Sequence, residues 1–127
     1  MSAENEQVVR DIYAAFARND IAAVIGALDE DVTWTTSMLL RSGATYHGHA
    51  GVSSLLNALA EVWQEMSAEP EEFIDGGDTI VVIVREHAAA ASGSTDTVAV
   101  HLWRMREGKA VAFTEYIDTA RTLRTFG

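Results

Sequence analysis

The chain has no cysteine, a single proline, and only nine lysines and arginines in 127 residues. Without cysteine there can be no disulfide framework and no thiol nucleophile. The nine basic residues stand against nineteen acidic ones, a formal net charge of −10. No basic run offsets that charge, so neither nucleic acid nor an anionic membrane surface is a fitting partner. No apolar run approaches the roughly 20 residues of a membrane span. The opening "MSAENEQVV" has neither the basic nor the apolar region of a signal peptide. The expectation is a cytoplasmic protein.

What is present is globular in character: 48% apolar and 22% charged residues. The length suits one domain spanning 1–127, with a core that hides roughly two-thirds of the unfolded surface. Val8, Val9, Ile12, Tyr13 and Phe16 recur at helical spacing. Asn19-Asp20 interrupts that pattern, and Asp20 is placed to cap a second short helix bearing Ile21, Val24, Ile25 and Leu28. Asp31–Thr36, "DVTWTT", reads as a strand through its β-branched and aromatic residues. After a loop containing Gly43 and Gly48, a third helix carries Val52, Leu55, Leu56, Leu59, Val62, Trp63 and Met66 on one stripe. Pro70 ends any helix, and strands follow near Glu69–Ile74, Thr79–Ala91, Thr95–Arg106 and Lys109–Thr119. Their connections, "DGGD", "SGS" and "REGK", are short enough for antiparallel hairpins. Three helices followed by a curved antiparallel sheet make an α+β fold.

The strand Thr79–Ala91 carries Arg85, Glu86 and His87 in its middle. Alternation puts Val81, Ile83, Arg85, His87 and Ala89 on one face and Val82, Val84, Glu86 and Ala88 on the other. Both faces start apolar, so helices would cover one, and a second copy of the protein the other. His101 shares a face with Trp103, Phe113 with Glu115, and Trp34 with Thr36. With Arg85 and His87 on the helix side, about 7 Å apart, these residues would line a ligand cavity and not a core. Tyr13, Phe16 and Ile83 would complete its wall, and Glu86 would face outward. Glu115 and His87 could then act as an acid/base pair, with Arg85 as the positioning cation and His101 as an auxiliary donor. The same groups also fit a structural ion-pair network that holds three strands in register. His47 and His49 form an H-x-H pair without a third ligand, explained by helix capping and solvent exposure, so no metal is expected. Asp118 with Arg121 reads as a surface or interface pair.

The segments "VVRDIYAAFARNDIAAVIGALDEDVTW", "YHGHAGVSSLL" and "LWRMREGKAVAFTEYID" resemble, in order and spacing, the NTF2-like superfamily and its SnoaL-like, ketosteroid-isomerase-like branch. The resemblance spans essentially the whole chain. It implies a cone-shaped α+β barrel enclosing a pocket, often as a homodimer, in isomerases, cyclases, dehydratases, hydrolases and proteins that only bind. Epoxide hydrolases of this fold use an Asp–Arg–Asp set with a Tyr and an Asn. Those positions fall here at His87, Arg85, Glu115, Trp34 and Thr36, so only the Arg is kept. The isomerase base and tyrosine fall at Thr36 and Ile12, and the isomerase's second Asp falls near His101. The resemblance therefore implies the scaffold without those named chemistries. The function expected is acid/base catalysis, with no cofactor, on a small hydrophobic or cyclic molecule. The alternative is a non-catalytic module that binds a small ligand or a protein.

Overall fold

The computed structural model describes residues 2–36 and 44–118. The first helix, α1, runs over Ser2–Ala17 and buries Val9, Ile12, Tyr13 and Ala15. It ends where Asn19 enters the left-handed region at φ 59, which Asn tolerates better than most residues. The Asn19 and Asp20 N–H groups turn back to the carbonyls of Phe16 and Ala15. Asp20 then caps α2, Ile21–Gly26, its carboxylate accepting the Ala23 N–H at 3.1 Å.

Strand β1, Leu28–Thr36, is longer than its sequence signal. Strand β2, Ala44–His47, lies in a stretch read as loop. At four residues it is too short to display an alternation, and it forms by pairing along β1, Tyr46 opposite Trp34. Helix α3, Gly48–Val62, buries Val52, Leu55, Leu56 and Leu59 as its stripe requires. The apolar stripe continues to Met66, but the helix stops at Val62. Trp63 is already extended at ψ 131, and the Gln64 N–H bonds to the Ala89 carbonyl at 2.8 Å. Met66 reaches the core from a strand, because apolar spacing does not report where the backbone leaves the helix.

Four strands follow: β3 (Glu65–Asp75), β4 (Thr79–Ala90), β5 (Gly93–Arg106) and β6 (Lys109–Tyr116). They join β1 and β2 in one sheet of order β2-β1-β6-β5-β4-β3. Every pairing is antiparallel except β1 with β6, which is parallel. The sheet is curved and does not close on itself; β2 and β3 are its edges. Pro70 sits in edge strand β3 beside a register shift between Pro70 and Glu72, where a residue without an N–H is tolerated.

Helix α1 packs over β3, β4 and β6, and α3 over β1 and β2. The core lies between the helices and one sheet face, with Val9, Val32, Leu55, Ile80, Val82 and Val84 fully buried. Each such side chain contributes roughly 1.5–3 kcal/mol on burial. Among the described residues no helix is long and apolar enough to cross a membrane. Arg121, the partner expected for Asp118, lies outside the described residues.

Candidate functional site

The facing of β4 decides which polar groups are inside. Ile80, Val82, Val84, Glu86 and Ala88 are buried. The β4–β5 hairpin pairs Ala90 with Gly93, so Val82 opposes His101 and Ile80 opposes Trp103. Directly opposed residues share a face, which puts the even-numbered side chains of β4 beside His101 and Trp103. The expected placement of Arg85 and His87 on the cavity side is therefore reversed. Arg85 is half exposed and its Nε donates to Glu71 at 3.4 Å. His87 bridges two outer-face carboxylates, Asp96 at 2.9 Å from Nδ1 and Glu65 at 3.4 Å from Nε2, and its pKa is raised by those hydrogen bonds. Ile83 also faces outward, opposite Val100. Glu86, expected outside, takes their place indoors with 6% of its surface exposed.

The other expected residues do converge. Tyr13, Phe16, Trp34, Thr36, His101, Trp103, Phe113 and Glu115 line one cavity of about 70 Å³. Alternation along β1, β5 and β6 brings them there, with Trp34 beside Phe113, Phe113 opposite Trp103, and Glu115 opposite His101. The aromatic wall is close-packed: Trp34 and Phe113 ring centres lie 4.1 Å apart, Trp103 and Phe113 4.5 Å. Ile12, Leu56, Leu59 and Met66 complete an apolar lining. Ile12, at the position matched to the isomerase tyrosine, contributes only hydrocarbon. Its neighbour Tyr13 supplies a hydroxyl.

Six of the polar side chains form one connected network. Trp103 Nε1 donates to Tyr13 Oη at 3.0 Å, and Tyr13 Oη meets His101 Nδ1 at 2.6 Å. His101 Nε2 lies 2.7 Å from Glu86 Oε2 and 3.4 Å from Glu115 Oε2. Thr36 Oγ1 donates to Glu115 Oε1 at 2.6 Å. Glu86 Oε1 is buried with no hydrogen-bond partner. An unpaired buried carboxyl oxygen is an expensive feature for a fold to retain unless something else engages it.

This environment separates the two carboxyls. Burial pushes Glu86 up to about 8, outweighing its bond to His101, with a side-chain hydrogen bond to Glu115 and then the Glu115 charge acting in the same direction. Burial is the largest single influence on His101 and Glu115 and opposes charge on both, but the hydrogen bonds and opposite charges within the cluster together outweigh it. His101 is raised to about 9, and Glu115 is lowered, helped by Glu86 and Thr36. Desolvation drives the Tyr13 hydroxyl well above the usual phenol range, so it stays protonated. At neutral pH the corner is a neutral carboxylic acid beside an imidazolium–carboxylate pair.

Glu86, His101 and Glu115 are also the residues that could hold a metal ion, each offering a ligand atom within 4.8 Å of the others. Their short mutual contacts are those of a hydrogen-bonded network. His47 is exposed at the α3 N-cap without a side-chain capping bond, and His49 Nε2 donates to the Leu28 carbonyl at 2.8 Å. The two histidines thus do different things, and among the described residues they join no cluster of three ligands.

The model of a SnoaL-like domain matches residues 9–113. No curated protein matches the sequence. Among solved structures, an NTF2-like protein of unknown function from Burkholderia pseudomallei is 38% identical over 96% of both chains, with a TM-score of 0.88. TerC, co-crystallised with polyporic acid, is 29% identical over 96% of this chain and 97% of its own, at a TM-score of 0.86. A protein with a ketosteroid isomerase-like fold from Catenulispora acidiphila, in complex with trimethylamine, shares the fold at 15% identity, 93% and 90% coverage and a TM-score of 0.81. The chain belongs to the SnoaL-like family and has its NTF2-like fold.

Proposed function

We propose that the chain is a cofactor-independent acid/base catalyst acting on a small hydrophobic or cyclic molecule held in this cavity. The observation that carries the reading is Glu86: a buried carboxyl whose Oε1 is unpaired at the wall of an otherwise apolar cavity. A neutral carboxylic acid there can give a proton to an oxygen of the bound molecule and take one back. His101 Nε2 lies 2.7 Å from Glu86, so the carboxylate left by proton transfer at Glu86 has a cation beside it. Glu86 thereby takes the role that the sequence assigned to Glu115 and His87, and Glu115 becomes the counter-charge of His101. TerC, with the same fold and 29% identity, was co-crystallised with polyporic acid, which supports a small organic molecule as the kind of ligand.

The rival reading is a binding module. It is favoured by the chain Thr36–Glu115–His101–Tyr13–Trp103, whose members satisfy one another as a structural network would. Glu86→Gln decides between them. Loss of turnover with ligand binding retained supports catalysis, whereas a ligand that binds and is never turned over by the unaltered protein identifies a module. We also infer a homodimer through the outer sheet face, where Ile74, Val98 and Tyr116 remain 46–59% exposed.

A further inference from the structure

Three side chains able to ligate a metal meet at the cavity wall from three adjacent strands: Glu86 of β4, His101 of β5 and Glu115 of β6. Their ligand atoms all lie within 4.8 Å of one another. His101 Nε2 is 3.4 Å from Glu115 Oε2 and 2.7 Å from Glu86 Oε2. Ligand atoms around a four-coordinate zinc ion, at bond lengths of about 2.0–2.2 Å, sit roughly 3.3–3.6 Å apart. The Glu115 contact already has that span. The Glu86 contact must open by about 0.7 Å to match it, a small swing of the carboxyl. No hydrogen bond at Glu86 Oε1 resists that swing.

A metal centre also needs outer partners that orient its ligands, and two of the three have one. Tyr13 Oη lies 2.6 Å from His101 Nδ1 and receives the Trp103 Nε1 hydrogen at 3.0 Å. An indole N–H can only donate, so Oη keeps a lone pair for a hydrogen on Nδ1. That tautomer leaves His101 Nε2 bare beside the two carboxyls. Thr36 Oγ1 does the same for Glu115, donating to Oε1 at 2.6 Å and leaving Oε2 toward His101. Glu86, the third ligand, has an unpartnered Oε1 although only 6% of the residue is exposed. A network of mutually satisfied groups leaves no such oxygen; a metal centre has a use for it. Charge agrees: two carboxylates and a neutral imidazole carry −2, which a divalent ion cancels, so no net charge stays in the apolar surroundings.

We propose that Glu86, His101 and Glu115 form a three-ligand site for one zinc-type divalent ion, with the fourth position open to the cavity. An N/O set of this kind suits Zn²⁺ and Co²⁺. Mg²⁺ and Ca²⁺ are refused, because they demand six or more oxygen ligands and keep several waters. A cavity of about 70 Å³ lined largely by hydrocarbon and aromatic rings does not supply those. An ion in this site occupies the carboxyl that the acid/base reading gives to Glu86, so the metal-bound and acid-bearing corners are alternative states. Only that consequence rests on the acid/base reading; the site itself stands on the cluster.

The test takes the full chain, freed of metal by a chelator, and titrates it with Co²⁺. One Co²⁺ per chain should give the strong visible absorption of a four-coordinate ion in place of the pale spectrum of the hydrated ion. One equivalent of Zn²⁺ should abolish it, and a large excess of Mg²⁺ or Ca²⁺ should not. By calorimetry, His101→Gln should weaken Zn²⁺ binding at least about 100-fold, and Thr36→Val about 10–100-fold, as loss of an outer partner does. His87→Gln should change nothing; it covers the outer-face alternative, where Asp96 and Glu65 flank an imidazole. Absence of the four-coordinate spectrum, binding that survives His101→Gln, or binding lost with His87→Gln overturns the proposal. If His101→Gln does not fold, Thr36→Val decides, and undiminished affinity there overturns it. A carboxyl titration of the metal-free protein reads Glu86 as an acid separately, so either claim can fail while the other stands.

Discussion

One carboxyl separates this site from a satisfied core. Glu86 is buried to the same degree as His101 and Glu115, yet it alone among them keeps an unpartnered oxygen. A group that exchanges a proton with substrate contributes typically 10²–10⁴-fold, so Glu86→Gln should lower turnover by at least about 100-fold in a steady-state assay. Activity that needs the neutral acid should fall as pH rises through about 8, and Glu86→Gln should have no residual step at that pH. Stability has its own dependence. The folded-state pKa of His101 is raised to about 9, so its contribution is complete below its unfolded value near 6.5 and is lost as pH climbs through about 9. Glu86, also raised, adds a penalty that grows from its unfolded value to about 8. Both act in one direction, and the melting temperature should decline between pH 7 and 9.5. Removing the imidazole with His101→Gln should flatten that decline, as differential scanning calorimetry would show. Glu115 works at the acid end: its lowered pKa gives stability above the ordinary glutamate range, lost as pH falls through the folded value.

At the scale of elements, the helices and long strands were legible because their periodicities are strong: Val9, Ile12 and Tyr13 in α1, Val52 to Leu59 in α3, and the alternating faces of β5 and β6. The facing of β4 was not legible. Val81 to Val84 are apolar on both faces, so composition leaves the two phases equal, and the turn decides. A connection at Ser92–Ser94 would have set Arg85 opposite His101; the real pairing of Ala90 with Gly93 puts Val82 there instead, a shift by an odd number of residues that turns Glu86 inward. Truncating Arg85 or His87 to alanine should leave ligand affinity unchanged and the urea unfolding midpoint nearly so, since each belongs to an outer-face ion pair that solvent screens. Strand β2 was missed because it exists only through pairing with β1. The junction after it is held by Gly48 at φ +70, where an added Cβ would lie 3.1 Å from the Glu30 carbonyl. Gly48→Ala should therefore cost about 1–2 kcal/mol in urea unfolding, the penalty of a left-handed L residue.

For the whole molecule, the open sheet divides the chain's polar chemistry into two faces with different roles. The helix-covered face holds the cavity and its proton-bearing corner. The other presents Ile74, Val98 and Tyr116 among the ion pairs of Arg85 and His87, and is the surface proposed to meet a second copy. A charge in an apolar interface is strongly disfavoured, so Val98→Asp should convert a dimer to a monomer by light scattering without altering the helical circular dichroism. The family supplies the scaffold, and the corner sets Glu86 beside the His101–Glu115 pair, enclosed by aromatic rings. The most direct measurement is a carboxyl-carbon NMR titration of the glutamates, with Glu86→Gln to assign the resonance. One glutamate titrating near 8 and absent from the variant, with Glu115 still ionised well below that pH, is the predicted result. Glutamates that all titrate in the ordinary range near 4.3 would contradict it, and would leave the Glu86–His101–Glu115 cluster a solvated polar patch with no acid to offer.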